Sequence, residues 1–376
     1  MKITVVGAGI NGLSAAWALA RDGHDVSVFE QAAVPNPLGS SVDQHRLIRY
    51  PYGASAAYTR MVGEAFEAWE RLWRDLGETL YVRTGTLALG RDADGWTDAS
   101  AATLEQLSID ARRLSASELE RIFPMLRADG VRIALYLETG GVLFAQRIVA
   151  SLAHYLQGRG VRLTPNARVR TLDVQTATVI FEDGTRLAGD CLIVAAGAWV
   201  TRLLPAIKDR VTPSRQVVVY VDPPQQYAEH WRHGPAIMDL DGDGFYLVPA
   251  AGGTDLKIGD HRFSLHGDPD KERETSPAEV RAVLERARRT LRDFDQYNLK
   301  ASRTCFYTVE PNERFIVERV GRSWVMSACS GHGFKFGALM GLAVADGIAA
   351  RREPGAITAW AAGIVQPGAA KSRVSD

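Results

Sequence analysis

The feature that most constrains this chain lies in its first thirty residues. Ile3-Thr4-Val5-Val6 is a short apolar run, Gly7-Ala8-Gly9-Ile10-Asn11-Gly12 follows without a break, and Leu13, Ala16, Leu19 and Ala20 recur at helical spacing. Asp25-Val26-Ser27-Val28-Phe29-Glu30 then reads as a second strand that ends in an acid eighteen positions after Gly12. Each part has a physical task in holding a dinucleotide. Gly7 allows the tight turn, Gly9 lets backbone approach a pyrophosphate, and Gly12 lets the helix pack on the strand. The helix start, with Ile10 and Asn11 in its first turn, offers free N–H groups and a positive dipole end to phosphate. Glu30 accepts hydrogen bonds from ribose hydroxyls, and its charge opposes a 2′-phosphate. The pattern predicts an α/β unit for an adenine dinucleotide and does not by itself separate FAD from NAD.

The rest of the composition narrows the class. At 376 residues the chain has room for two or three domains of roughly 100–200 residues each. Lys plus Arg equals Asp plus Glu at 44 each, which argues against a general nucleic-acid binder or a polybasic membrane-surface protein. No stretch approaches the ~18 apolar residues of a membrane span, and the apolar run before Gly7 is too short for a signal-peptide core. A soluble, cytoplasmic protein is the expectation. The three cysteines, Cys191, Cys305 and Cys329, make neither a disulfide framework nor metal-ligand spacing, so no metal site is expected.

Further along, a helix is predicted over 144–157, stopped by Gly158 and Gly160. Strands are predicted around 161–163, 169–172 and 178–181, and Asp183-Gly184 turns the chain into 185–188. The apolar run from Cys191 ends in Ala195-Ala196-Gly197, which reads either as tight packing or as a second close backbone approach to the same cofactor. The stretches 81–140 and 215–303 are β-rich, with runs at 215–221, 245–248 and 255–259 and a helix over 277–291 that turns Glu279, Arg281, Glu285 and Arg288 to solvent. The organisation expected is an interleaved one, with cofactor segments 1–75, 145–213 and 313–376 and substrate segments 76–144 and 214–312. The last ten residues, 367–376, read as a frayed tail.

Several segments together then resemble one family. They are Gly39-Ser40-Ser41 with Arg46-Leu47-Ile48-Arg49-Tyr50, the run Leu256-Lys257-Ile258-Gly259-Asp260-His261, the run from Cys305-Phe306-Tyr307 through Pro311 and Glu313 to Phe315, and Ser330-Gly331-His332-Gly333-Phe334-Lys335-Phe336. With the amino-terminal unit they resemble monomeric sarcosine oxidase and N-methyltryptophan oxidase, in order from Met1 to about Ala349. The resemblance implies a glutathione-reductase-type FAD-binding Rossmann domain with an interleaved β-rich substrate domain, in a monomer. It implies oxidation of a secondary amine (an N-methyl, N-alkyl or cyclic amino acid) by hydride transfer to flavin, imine hydrolysis, and reduction of O2 to hydrogen peroxide. The same-fold alternative is a dehydrogenase that passes electrons to another carrier.

The resemblance also assigns residues. FAD contacts fall on Gly7, Gly9, Ile10, Asn11, Gly12, Glu30, Ser40, Ser41, Arg46, Val169, Gly197, Gly331, Gly333, Phe334 and Lys335, with covalent attachment through the Cys305 thiol. Arg49 and Lys335 match a carboxylate-binding pair, a guanidinium fork beside a compact ammonium, and Tyr246 matches a pocket tyrosine. Lys257 matches the lysine that activates oxygen, where a fixed ammonium in a low-dielectric site stabilises developing negative charge. His261, Arg46 and His45 complete the catalytic set. Taken without the resemblance, Lys257 is equally an edge-strand lysine and Cys305 a buried free thiol. One departure stands out: Val42 occupies the place where the family commonly has a histidine against the flavin, and His45 either takes over that contact or stands beside it.

Overall fold

The computed structural model describes residues 1–242, 244–327 and 329–364; the segment 367–376, read as a frayed tail, lies outside them. The amino-terminal pattern folds as its periodicity requires. Lys2–Val6 is a strand with Ile3, Val5 and Val6 buried, Ile10–Arg21 is a helix, and Asp25–Phe29 pairs in parallel with the first strand. A six-stranded sheet grows around this unit in the spatial order Ile316–Val320, Ser323–Ser327, Cys191–Val194, Lys2–Val6, Asp25–Phe29, Arg162–Thr164. Every neighbouring pair is parallel except the antiparallel edge hairpin of Ile316–Val320 with Ser323–Ser327. Strands covered on both faces bury apolar centres, and Ile3, Val5, Val26, Val28, Leu192, Ile193 and Val194 fill that role.

Helices do the covering. Ala145–Gly158 follows the predicted periodicity and buries Ile148, Val149, Leu152 and Leu156 at i, i+1, i+4 and i+8. Ala56–Leu76 is the longest helix; the Ser55 hydroxyl caps its start and left-handed Gly77 ends it. Its apolar stripe includes Met61, Ala65, Ala68, Trp69 and Leu72. The small residues of Ile10–Arg21 let a carboxy-terminal helix, Gly337–Ile348, lie directly against it, so the 330s return to the amino-terminal glycines.

The second large sheet has eight strands in the order Asn298–Val309, Thr212–Asp222, Leu256–Asp260, Phe245–Val248, Ala236–Asp239, Thr86–Gly90, Ile133–Leu137, Arg112–Leu114. It draws on both β-rich stretches, which join where Ala236–Asp239 runs parallel to Thr86–Gly90. Two three-stranded sheets complete the fold, one from Val169–Asp173, Thr178–Phe181 and Arg186–Ala188, the other from Arg46–Ile48, Gly141–Leu143 and Tyr81–Val82. The helix expected over 277–291 stops at Ala287. Residues beyond it are drawn away to the 123–127 segment: Arg127 N–H donates to the Thr290 carbonyl at 2.9 Å, Arg292 N–H to that of Met125 at 2.9 Å, and Leu291 bridges Leu126. That tertiary pairing outweighs continued helical bonding.

Candidate active site

A cavity of about 980 Å³ runs between the two large sheets. On one side it is lined by the carboxyl ends of the parallel strands: Val6, Glu30 just past Phe29, and Ala195 just past Val194. Ligands of open α/β sheets bind at such ends. The opposite wall is the eight-stranded sheet, through Gln216, Met238, Tyr246, Lys257 and Tyr307.

The glycine turn is built for close approach. Gly7 sits at φ +104°, and a Cβ there would stand 2.4 Å from the Ala195 carbonyl oxygen. A Cβ on Gly12 would stand 1.9 Å from the Gly7 carbonyl oxygen, so helix and turn touch only because that side chain is absent. Gly7, Gly9, Ile10 and Asn11 line the cavity, whereas Gly12 lies behind them as a packing residue. Glu30 is buried, accepts from Ala8 N–H at 2.8 Å and Asn36 Nδ2 at 2.9 Å, and still borders the cavity. Val169, Gly197, Gly331, Gly333, Phe334 and Lys335 reach it from later segments.

The loop 39–46 threads between the two walls. Ser41 Oγ accepts from Ile10 N–H at 2.9 Å, and Ser40 Oγ donates to the Phe306 carbonyl. Arg46 donates to the Ser40 carbonyl at 2.7 Å, to the His45 carbonyl at 2.9 Å and to the Asp43 carboxylate. Asp43 also receives the Tyr220 hydroxyl and Lys257 Nζ, the latter at 3.0 Å, with both side chains of the ion pair under 5% exposed. Lys257 Nζ donates again to the His45 carbonyl at 2.9 Å. Burial alone would raise the Asp43 carboxyl, but Arg46, Lys257 and the Tyr220 hydroxyl hold it well below the usual carboxylate range. Burial lowers Lys257 to about 8, with Asp43 resisting the fall. Burial also opposes the Arg46 charge, yet Asp43 reverses that and raises it.

At the other end, Arg49 and Lys335 form a different centre. The Arg49 guanidinium lies 4.5 Å from the Tyr52 ring centre and 5.3 Å from that of Trp96, and its buried Nη1 has no hydrogen-bond partner. Lys335 Nζ donates to Tyr52 Oη at 2.9 Å and to the His332 carbonyl at 2.9 Å. Since Tyr52 Oη accepts from the ammonium, its own proton goes to His332 Nδ1 at 3.1 Å, and His332 Nε2–H donates to the Glu313 carbonyl at 3.1 Å. The neutral imidazole this requires agrees with burial and the Lys335 charge, which drive the His332 pKa well down. Burial and then Arg49 push Lys335 itself well below the ordinary lysine value. The main chain of Lys335 is pinned by Trp69 Nε1–H, which donates to its carbonyl at 2.7 Å. His261 borders the cavity and is lowered to about 4 by burial and Arg49; Tyr246 is raised to about 12, chiefly by burial.

Besides Gly12, two expected site residues, His45 and Cys305, stand off the cavity wall. His45 is fully buried with its ring turned to the Asp255 carbonyl, Nε2 at 2.9 Å, and burial lowers it to about 3. The expectation of its imidazole at the cofactor is therefore corrected: its carbonyl, holding Lys257 and Arg46, is the part that reaches the centre. Val42 borders the cavity in the place of the family histidine, and His45 does not take over that wall. Cys305 is buried in the strand Asn298–Val309 opposite Gln216 and does not line the cavity, although Tyr307, two residues along the same strand face, does. Cys191 is a core thiol raised to about 11 by burial, and burial raises Cys329 as well.

The sequence profile of the family described as FAD dependent oxidoreductase matches residues 2–347. The chain belongs to that family. It is 27% identical over 363 residues to monomeric sarcosine oxidase of Bacillus sp. (strain NS-129), covering 92% of each chain. It is 26% identical over 351 residues to N-methyl-L-tryptophan oxidase of Yersinia pestis (strain Pestoides F), covering 90% of this chain and 92% of that one. Among solved structures, L-proline dehydrogenase from P. horikoshii superposes with a TM-score of 0.82 at 18% identity, covering 97% of this chain and 99% of that one, a likeness of fold.

The residues of this FAD-dependent oxidoreductase fit the cofactor. Beyond the Ile10 N–H, which Ser41 Oγ takes, the helix start has no side-chain cap, the buried Asn11 Oδ1 has no partner, and a Cβ on Gly197 would meet nothing within 4 Å. Those are the open donors, acceptor and backbone approach that a dinucleotide needs. The sequence reading had passed over Asp43, Tyr220, Tyr52 and Trp96. Asp43 carried a usable signal, an acid three positions before Arg46 in a glycine- and serine-rich loop. Tyr220 and Trp96 carried none, because only tertiary contact brings them in.

Proposed function

We propose that this FAD-dependent oxidoreductase oxidises a secondary amino acid (N-methyl, N-alkyl or cyclic) and passes the electrons to O2. The observation that carries the reading is that Arg49 and Lys335 line the same cavity as the dinucleotide turn and make no ion pair among the described residues. Two buried cations with open donors call for an anion from outside, and a substrate carboxylate is that anion. Clasped there, the substrate has its amine-bearing carbon fixed by a planar fork and a point charge. His261 and Tyr246 border the cavity as neutral groups at neutral pH, and so add no charge beside the amine. Bound FAD supplies the two-electron acceptor: a C–H bond of the amine gives up a hydride, the nitrogen loses its proton, a C=N bond forms and water hydrolyses it. The two electrons and two protons then convert O2 to hydrogen peroxide. Lys257, the buried ammonium of the opposite wall, is the group placed to stabilise negative charge there.

The test is a panel of sarcosine, N-methyl-L-tryptophan, L-proline and pipecolate scored for peroxide in air. Peroxide in proportion to amine consumed is expected; no turnover with any carboxylated amine overturns the reading. A second reading, electron transfer to a carrier other than O2, is favoured by the ion pair of Lys257 with Asp43, which sets an anion beside the oxygen-activating cation. Bleaching of the flavin by amine, with dye reduction but no peroxide, would establish it. For attachment through Cys305, flavin is expected to stay with acid-precipitated protein and to enter the supernatant in Cys305→Ser; free flavin from the parent overturns it.

A further inference from the structure

The loop 39–46 buries a carboxylate that the reaction as described does not use. Lys257 is 1% exposed and Asp43 4% exposed, and Asp43 Oδ2 stands 3.0 Å from Lys257 Nζ. Asp43 has no route to substrate, since it is not among the residues lining the cavity, whereas Lys257 and Arg46 are. Its two oxygens are fully engaged from the protein side, Oδ2 by Lys257 and Arg46, Oδ1 by the Tyr220 hydroxyl and the Gln44 N–H at 2.7 Å. The loop that carries it is itself tied down: Gln44 exchanges two hydrogen bonds of 2.7 Å with Asp255 at the head of the Lys257 strand.

We propose that Asp43 is a positioning residue that acts through Lys257, holding its ammonium charged and fixed at the cavity wall so that the buried cluster presents one net positive charge to the flavin site. This rests on the functional reading above. The charge count follows from the neighbours. From the loop and the strand Arg46–Ile48 come Asp43, His45 and Arg46; from Thr212–Asp222 comes Tyr220; from Phe245–Val248 comes Tyr246; from Asn298–Val309 come Cys305 and Tyr307. The three phenols are raised by burial and the His45 imidazole is lowered by it, so these four groups are neutral near pH 7. Lys257 and Arg46 supply two positive charges and Asp43 one negative. Without Asp43, two adjacent buried cations would face each other uncompensated, and lysine, the weaker acid-holder of the two, would release its proton. Lys257 has three N–H donors, of which Asp43 and the His45 carbonyl take two, leaving one for the cavity.

The test reads the flavin rather than turnover. In the holoenzyme the two-electron midpoint potential, followed against pH, should show a break where Lys257 loses its proton, near pH 8. Lys257→Met should erase that break; a break that survives Lys257→Met overturns the proposal. Asp43→Asn should move the break down by about one to three pH units, and the pH midpoint of reoxidation by O2 should follow it. An unmoved break in Asp43→Asn overturns the proposal. Should Asp43→Asn fail to retain flavin, Asp43→Glu decides: flavin retained with the parent's break upholds the requirement for a carboxylate, a lowered break refutes it, and loss of flavin in both variants assigns Asp43 to folding and refutes it too. If reduced parent enzyme persists in air, the oxygen reading fails while the break in potential still judges Asp43.

Discussion

The cavity has a buried lysine at each end, and the two are kept in opposite ways. Lys257 has a carboxylate at 3.0 Å and a second cation beyond it, so its charge has a counter-ion within the chain and one positive charge is left over. Lys335 has only a phenol and a carbonyl, and its companion Arg49 has aromatic faces and an unpartnered Nη1. Both ammonium groups are buried, and burial is the chief force lowering each, so the difference lies in the counter-ion. A buried cation without one is costly, and the cost is recovered only when an anion arrives. One centre is therefore a fixed charge, present whether or not substrate is bound. The other is a receptor. On the function proposed above, the contrast would let one cavity separate the chemistry of the electron acceptor from recognition of the donor.

The comparison can be broken most forcefully through stability. Asp43→Ala leaves Lys257 and Arg46 buried without their anion and is expected to destabilise the protein by about 3–5 kcal/mol, the cost of breaking a buried pair from one side. Arg49→Met removes a cation that makes no ion pair among the described residues but does lie on the Tyr52 and Trp96 rings, so its loss should be clearly smaller than that of Asp43→Ala. Denaturant midpoints of the two variants, measured without substrate, check this; a large loss from Arg49→Met would mean that the two centres are alike.

The next effect is catalytic. Truncating a charge that pairs with a buried anion costs about 2–5 kcal/mol, so Arg49→Met should lower kcat/KM for a carboxylated amine by roughly thirty- to several-thousand-fold. The loss should vanish for an amine of the same shape without the carboxylate. An equal loss on both amines would remove Arg49 from carboxylate recognition.

A pH titration sharpens the contrast further. Burial and Arg49 place the Lys335 pKa below that of a free lysine. Between the folded and unfolded values the unfolded chain binds the extra proton, so Lys335 makes stability rise with pH in that window, the reverse of a lysine stabilised by a salt bridge. Anion binding runs the other way. Affinity for a simple carboxylate inhibitor should fall by up to about tenfold per pH unit once the pH passes the folded value, and Lys335→Met should flatten the profile. A profile of the same slope in Lys335→Met would assign the titration elsewhere.

What could be read from the sequence follows the same division. The first thirty residues dictate their own fold, because strand, glycine turn, helix and second strand are set by local periodicity and by the absence of side chains at Gly7 and Gly12. The strands 178–181 and 245–248 were equally plain from β-branched and aromatic runs. The end of the helix at Ala287 was not, since contacts with a segment some 160 residues earlier decide it. At the candidate site, Arg49, Lys257 and Lys335 carried motif signals and do reach one cavity. Their partners did not. Tyr220 joins Asp43 across 177 residues, and Tyr52 joins Lys335 across 283. For His45 the position beside Arg46 left two alternatives open, and tertiary contact decides between ring and main chain: the ring meets the Asp255 carbonyl while the His45 carbonyl reaches Lys257.

The smallest expected effect isolates one hydrogen bond of the receptor centre. Tyr52 serves both cations: its ring lies under Arg49 and its hydroxyl accepts from Lys335 while donating to His332. Tyr52→Phe keeps the aromatic face and deletes only the hydroxyl. Lys335 then keeps one protein acceptor, the His332 carbonyl, and His332 Nδ1 loses its donor. An ordinary hydrogen bond contributes about 0.5–1.5 kcal/mol net, so KM for the amino acid should rise by roughly two- to twelvefold. If Lys257 governs reoxidation by O2 as proposed above, that step should keep its pH midpoint near 8. A shift of that midpoint in Tyr52→Phe would show that the two centres communicate, and the division into fixed charge and receptor would have to be given up.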